Sequence, residues 1–216
     1  MTPRSYLSFS QLTLWEMSPE RYADQYLRGK AAPTSASMSY GSLLADGLES
    51  GDATGDPLLD LMAARIPKLE RMDLPVEDQK GTEIVDPHSG KAWRVPVLKD
   101  GKTKIPLLAK PDTAAADYSA FKEYKTSVRP WTQRRADESG QLTFYAAAMW
   151  LVTGKVPADI ELVCIVTEKE ADWKVRPTGR MIRLPTRRTM VDVLKMTRRI
   201  KCAWAGIKKL CEEELL

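Results

Sequence analysis

The chain has 216 residues, of which 43% are hydrophobic and 29% charged. That fits one domain able to bury a core without disulfides or a structural metal, and it excludes a collagen, a coiled-coil rod and a wholly disordered chain. Lys and Arg number 33 against 29 Asp and Glu, a formal net charge of +4 that permits a polyanionic partner without demanding one.

The first segment reads as helices. Ser8 followed by Gln11 is a capping-box pattern, and Leu12 and Trp15 share a helical face. Ser18-Pro19 reopens a helix with Tyr22, Ala23, Tyr26 and Leu27 as its apolar stripe, and Gly29 stops it. A loop over 30–39 and a short helix over 41–49 follow. Residues 51–57 are a loop by composition, and 58–69 form a further helix.

From Glu77 the pattern changes to short β-type runs at Thr82–Val85, Trp93–Leu98 and Ile105–Ala109, separated by turn sequences at His88-Ser89-Gly90 and Lys99-Asp100-Gly101-Lys102. Two more strands are expected over Asp112–Ala116 and Ala120–Lys125. After a loop at Pro130 come a strong helix over Ser139–Val152 ended by Gly154, strands at Ile160–Thr167 and Met181–Leu184, and a closing helix over Arg187–Leu210. This order predicts an α/β fold, a central mixed β-sheet flanked by helices, in a single domain over 1–216 with residues 51–104 as an insertion or meander within it.

Two absences narrow the chemistry. The three cysteines, Cys164, Cys202 and Cys211, are an odd number with no short paired spacing, which argues for reduced thiols rather than a disulfide framework or a zinc site. His88 is the sole histidine and sits in a turn-rich stretch, which argues against a Ser-His or Cys-His catalyst. No run reaches the roughly 20 apolar residues of a membrane span. The opening residues Met1–Leu14 have no continuous apolar core, so a cytoplasmic, membrane-free protein is expected.

The stretch richest in chemistry is Lys110-Pro111-Asp112, then Phe121-Lys122-Glu123-Tyr124-Lys125. Glu123 and Lys125 are two apart on a predicted strand and therefore share a face. If the preceding strand pairs with it, Asp112 meets Glu123. Two converging carboxylates suit a hard divalent cation, and a nearby ammonium suits a phosphate or its attacking water. The competing reading is a solvated cross-strand face. Gln141 and Tyr145, four apart, lie on one face of the following helix, where an amide and a phenol can bind a phosphate or sugar edge; taken alone, the pair reads more simply as a core tyrosine and a surface glutamine.

The ordered set resembles the PD-(D/E)XK nuclease superfamily, specifically its RecB-like branch. Pro111-Asp112 and Glu123-Tyr124-Lys125 match the strand motifs, and Gln141-Leu142-Thr143-Phe144-Tyr145 matches the QxxxY motif. Leu7-Ser8-Phe9-Ser10-Gln11-Leu12 with Ser18-Pro19-Glu20-Arg21-Tyr22 resembles the N-terminal helical signature, and residues 41–49 resemble the GxxxH…E helix. The resemblance implies a restriction-endonuclease-like core with an N-terminal helical segment. It implies a Mg²⁺- or Mn²⁺-dependent DNA nuclease, leaning towards an exonuclease on ends or single strands, in recombination, repair or phage DNA processing.

In that reading Asp112 and Glu123 hold the metal with the Tyr124 carbonyl and Glu49. Lys125 orients the water, and Gln141 and Tyr145 position DNA or the lysine. A separate recombinase, single-strand-binding protein or helicase is an expected companion, since no GxxxxGK[ST] phosphate loop is present. Homo-oligomerisation stays open. The chain departs from the family at Ala45, where the family carries a histidine, so the alternative is a catalytically decayed DNA-binding or assembly module on the same fold. No iron–sulfur cluster is expected, because four thiolates cannot come from three cysteines.

Two basic groups are candidate DNA contacts. Arg129, Trp131, Arg134 and Arg135 precede the QxxxY helix, and Trp131 reads either as a ring that stacks a base or as a core or lid residue. The last helix carries Arg187, Arg188, Lys195, Arg198, Arg199, Lys201, Lys208 and Lys209. It reads either as a phosphate-tracking surface or as a solvated face whose Val191, Leu194, Ile200 and Trp204 pack inward.

Overall fold

The computed structural model describes residues 5–30, 39–43, 53–64, 81–85, 92–169 and 175–214. The expected turn at His88, most of the loop over 30–39 and the later parts of the helices over 41–49 and 58–69 lie outside the described residues.

Local signals set the N-terminal helices. Ser8 ends a two-residue strand, β1 (Leu7–Ser8), and caps α1 (Phe9–Met17), its Oγ accepting from the Gln11 N–H at 3.4 Å. The Gln11 side chain is fully buried, where its Oε1 accepts from the Tyr22 hydroxyl at 3.4 Å. Ser18 caps α2 (Pro19–Tyr22) through the Arg21 N–H at 3.2 Å. A π-helical turn, Ala23–Leu27, extends α2, and Gly29 with φ 70° terminates it. The wider turn is invisible to a 3.6-residue pattern, yet Ala23 and Leu27 still reach the core.

The meander forms two antiparallel pairs. β2 (Thr82–Val85) pairs with β3 (Ala92–Val95), and β4 (Val97–Asp100) pairs with β5 (Thr103–Leu108). The single strand expected over Trp93–Leu98 is therefore divided at Pro96, which has no N–H to donate to a ladder. Gly101 takes φ 57° at the first position of the two-residue β4–β5 turn, where hairpins call for a glycine. β1 adds in parallel to β5, with Leu7 opposite Leu107.

The main sheet holds β6 (Thr113–Ala114), β7 (Ala120–Ser127), β8 (Asp159–Lys169) and β9 (Val175–Thr186), in that order. β7 and β8 are parallel and the outer pairings antiparallel, so the sheet is mixed. Between β7 and β8 come α4 (Gln133–Asp137), capped by Thr132 where a loop was expected, and α5 (Gly140–Thr153), ended by Gly154 in the left-handed region.

α5 is buried nearly all round. Its small residues Ala146, Ala147 and Ala148 are fully enclosed between the sheet and α6 (Met190–Glu213). Thr189 and Asp192 form a reciprocal capping box that starts α6, and Val193, Met196, Ile200, Ala203 and Ile207 give its inward stripe. Ile200 packs inward as expected, whereas Val191 and Leu194 face solvent at 57% and 51% exposure. The opposite sheet face carries Tyr124, Val163 and Ile165, covered by Leu59 and Met62 of α3 (Pro57–Ala64) and by Tyr40. The result is a mixed α/β fold with mixed sheets flanked by helices. No helix among the described residues is long and apolar enough to cross a membrane.

Candidate active site

The alternation of β7 decides which side chains meet. Phe121, Glu123 and Lys125 point towards α5, while Tyr124 points to the other face, its hydroxyl 3.2 Å from Thr113 Oγ1. The β6–β7 register pairs Thr113 with Lys122 and Ala114 with Phe121. Continued by one residue, it sets Asp112 opposite Glu123. Asp112 lies just before β6 rather than within it, and its Oδ2 accepts from the Tyr124 N–H at 2.6 Å. The strand pairing thus brings together the two carboxylates that lie eleven positions apart in the chain.

Glu123 is 3% exposed. Its Oε1 accepts from the Lys125 ammonium and from Gln141 Nε2, the latter at 2.8 Å. Its Oε2 is buried with no hydrogen-bond partner among the described residues. Burial, then repulsion from Asp112, pushes the Glu123 carboxyl well above the usual carboxylate range despite Lys125. Asp112 is also raised by burial, against the pull of the Tyr124 N–H and Lys125. Burial lowers the Lys125 ammonium, but the charge and hydrogen bond of Glu123 and the charge of Asp112 outweigh it, leaving the group raised.

Gln141 and Tyr145 are joined directly: Gln141 Nε2 donates to the Tyr145 hydroxyl at 2.8 Å. Burial and the negative charge of Glu123 hold that phenol protonated, well above its ordinary value. Tyr145 also stacks edge-on against Phe121, centroids 6.0 Å apart. Two carboxylates with one lysine leave the cluster one negative charge in excess. Buried anionic oxygen without a donor is costly, so Glu123 Oε2 calls for either a proton or a cation. The donor set, two carboxylates with backbone nearby, is all-oxygen and fits a hard divalent ion. No group of three or more His, Cys, Asp or Glu with metal-holding geometry occurs among the described residues.

A cavity of about 460 Å³ opens beside Gln141 and Tyr145. Its walls include Ser8, Ser10 and Thr13 of the α1 region and Lys110. These hydroxyls and this lysine were not singled out from the sequence as site residues.

Other expected residues lie further out. Arg129, Arg134 and Arg135 are exposed. Trp131 is half-buried against the core and carries the Arg135 guanidinium 3.8 Å over its ring, so a cation covers one face that was expected to stack a base. Arg134 pairs with Glu138 at 3.2 Å. Glu49 and Ala45 lie outside the described residues. The helical residues 39–43 do approach the site's strand: a Cβ on Gly41 would sit 3.5 Å from Thr126 Oγ1.

Arg188 is a further residue the sequence did not reveal. It is 7% exposed and, among the described residues, makes five hydrogen bonds and pairs with no carboxylate. Its acceptors include the carbonyls of Ala136 and Ser139 and the hydroxyl of Thr143, so it ties the α4–α5 junction that leads into Gln141. The expectation that it belongs to a solvent-facing basic surface is corrected by this burial.

No family model matches the chain, and no curated protein matches it. Two solved structures are similar to this chain across nearly its whole length. One is a candidate exonuclease from Eubacterium rectale, at 14% identity and a TM-score of 0.50, covering 97% of this chain and 82% of that one. The other is an alkaline exonuclease from Laribacter hongkongensis, at 12% identity and a TM-score of 0.47, covering 97% of this chain and 91% of that one.

Proposed function

We propose that this chain is a Mg²⁺- or Mn²⁺-dependent deoxyribonuclease, acting as an exonuclease on DNA ends or single strands. The observation that carries the reading is Glu123: a buried carboxylate beside Asp112, held at one oxygen by Lys125 and Gln141 and without a hydrogen-bond partner among the described residues at the other. Asp112 and Glu123 would hold the ion, with the Tyr124 backbone and Glu49 as further donors. When bound, it supplies Lewis acidity towards the phosphate and its attacking water.

The chain's own groups divide the remaining work. Lys125 keeps an ammonium beside the carboxylates, where it orients water and balances charge on the phosphate. Gln141 spends both amide hydrogens, one on Glu123 and one on Tyr145, and so fixes their separation. Tyr145 accepts from Gln141 and keeps its own O–H for a phosphate oxygen. The cavity lined by Ser8, Ser10, Thr13 and Lys110 leads a strand to this point, and Arg129, Arg134 and Arg135 extend the cationic approach. The exonuclease name of the fold neighbour from Eubacterium rectale agrees with this reading. The setting is DNA recombination, repair or phage DNA processing in the cytoplasm, beside a recombinase, single-strand-binding protein or helicase.

Ala45, in place of the family's histidine, favours a second reading: a non-catalytic DNA-binding or assembly module. Linear DNA incubated with Mg²⁺ or Mn²⁺ separates the two. Degradation by the native protein but not by Lys125→Ala supports the enzyme. Salt-sensitive DNA binding without cleavage in either metal overturns it in favour of the module.

A further inference from the structure

The outer face of α6 carries a feature the nuclease reading does not use. At 100° per residue, Val191, Leu194, Lys195, Arg198 and Cys202 fall within about 100° of one another, on a single face about 16 Å long. Val191 and Leu194 stay exposed on it at 57% and 51%. The face continues into a cavity of about 450 Å³ between α6 and α1, floored by Trp15, Cys202 and Ala203 and edged by Lys195, Arg198 and Arg199. Trp15 is packed against Gly206, where an added Cβ would lie 2.5 Å from its ring, so the close approach of α1 and α6 here depends on that glycine.

The charges on the rim are mostly unspent. Arg199 is committed to Glu16, which also lines the cavity, at 2.6 Å, and the Lys195 charge lies within reach of Asp192; neither Lys195 nor Arg198 forms an ion pair among the described residues. Trp15 lies about 200° around α1 from Thr13, which lines the catalytic cavity. The two openings therefore lie on different sides of that helix.

We propose that this groove is a docking site for an acidic amphipathic helix of a partner protein, its apolar side chains seated on Val191, Leu194 and Trp15 and its carboxylates on Lys195 and Arg198. Charge complementarity selects an acidic partner. The apolar floor selects a peptide with a hydrophobic anchor over a nucleic-acid backbone, which would bring only phosphates to a tryptophan and two aliphatic side chains. Three turns of helix match the length of the face. The proposal is independent of the nuclease reading, because its test involves no cleavage.

Cys202 is a built-in reporter: it is exposed in the groove, and Cys164 and Cys211 are buried. The probe is a synthetic fluorescein-labelled helix of about 12 residues, with Leu at every third or fourth position and Glu elsewhere. Bound to the native full-length chain with Kd on the order of 10 µM, it should slow iodoacetamide labelling of Cys202, read by mass spectrometry. The double change Val191→Ser with Leu194→Ser should weaken binding about tenfold. Arg198→Glu should do the same and be rescued by a probe with Lys in place of Glu. Unchanged labelling at about 1 mM peptide, unchanged affinity in the double variant, or protection of Cys202 by a single-stranded oligonucleotide instead would each overturn the proposal. The last would assign the face to DNA.

Discussion

Gln141 Nε2 lies 2.8 Å from Glu123 Oε1, so a helix amide holds the strand carboxylate from across the α5–β7 interface. The same nitrogen reaches Tyr145, one turn along α5. Replacing Gln141 by Leu deletes both bonds while keeping the side chain's bulk. The expected outcome is a fall in nuclease turnover of roughly 10- to 100-fold with a folded protein, because Glu123 loses a donor and Tyr145 its tether. Steady-state cleavage with a circular-dichroism melt checks it; full activity would detach Gln141 from the site.

Metal binding should be linked to proton release. Burial, and then Asp112, pushes the Glu123 carboxyl up to about 8, against an unfolded value near the ordinary 4.5. The folded metal-free protein therefore binds more protons than the unfolded chain between those values. Its stability should fall as pH rises from about 5 to 8, the opposite of a salt-bridged carboxylate. Divalent cation should bind more tightly as pH rises through the same window, displacing the proton. Thermal melts across this range with and without Mn²⁺, and calorimetry in buffers of different ionisation enthalpy, measure both effects. Glu123→Gln should flatten both; an unchanged slope in that variant would place the titration elsewhere.

Arg188 should be a stability determinant despite lying in a basic stretch. Arg188→Met leaves the carbonyls of Ala136 and Ser139 short of a buried donor. A loss of about 3 kcal/mol is expected, with a fall in Tm of roughly 6–12 °C. Arg188→Lys should recover little, since an ammonium cannot span the fork of acceptors. Urea denaturation of the three proteins decides the matter.

Thr189→Ala should cost about 1 kcal/mol through α6 alone, by removing the cap at the Asp192 N–H. Asp192 is held below its ordinary value by the Thr189 N–H and hydroxyl. The part of the cap that runs from the Thr189 hydroxyl to the Asp192 carboxylate is thus present above the unfolded carboxylate pKa and lost as pH falls through the lower folded one, whereas the bond from the Asp192 N–H does not titrate. Native and variant melts should draw closer in strong acid, without meeting, and lie furthest apart at neutral pH.

Much of this protein is readable in one dimension, for a physical reason. Caps at Ser8 and Ser18 and the stop at Gly154 act within a few residues, so their signals sit beside their effects; the break at Pro96 is equally local, yet the apolar run across Trp93–Leu98 masked it. The Asp112–Glu123 meeting was also legible, because β6 and β7 are a local antiparallel pair and alternation fixes the face. What the tertiary structure alone decided is non-local. β1 joins β5 across a hundred residues. A π turn rephases the second helix, Arg135 covers Trp131, and Arg188 is drawn inside by carbonyls from another element. The outward turn of Val191 and Leu194 belongs with these: a helix's apolar residues do not say which stripe its neighbours will bury, and only the docking of α5 and α1 against α6 chose the one through Val193 and Ile200.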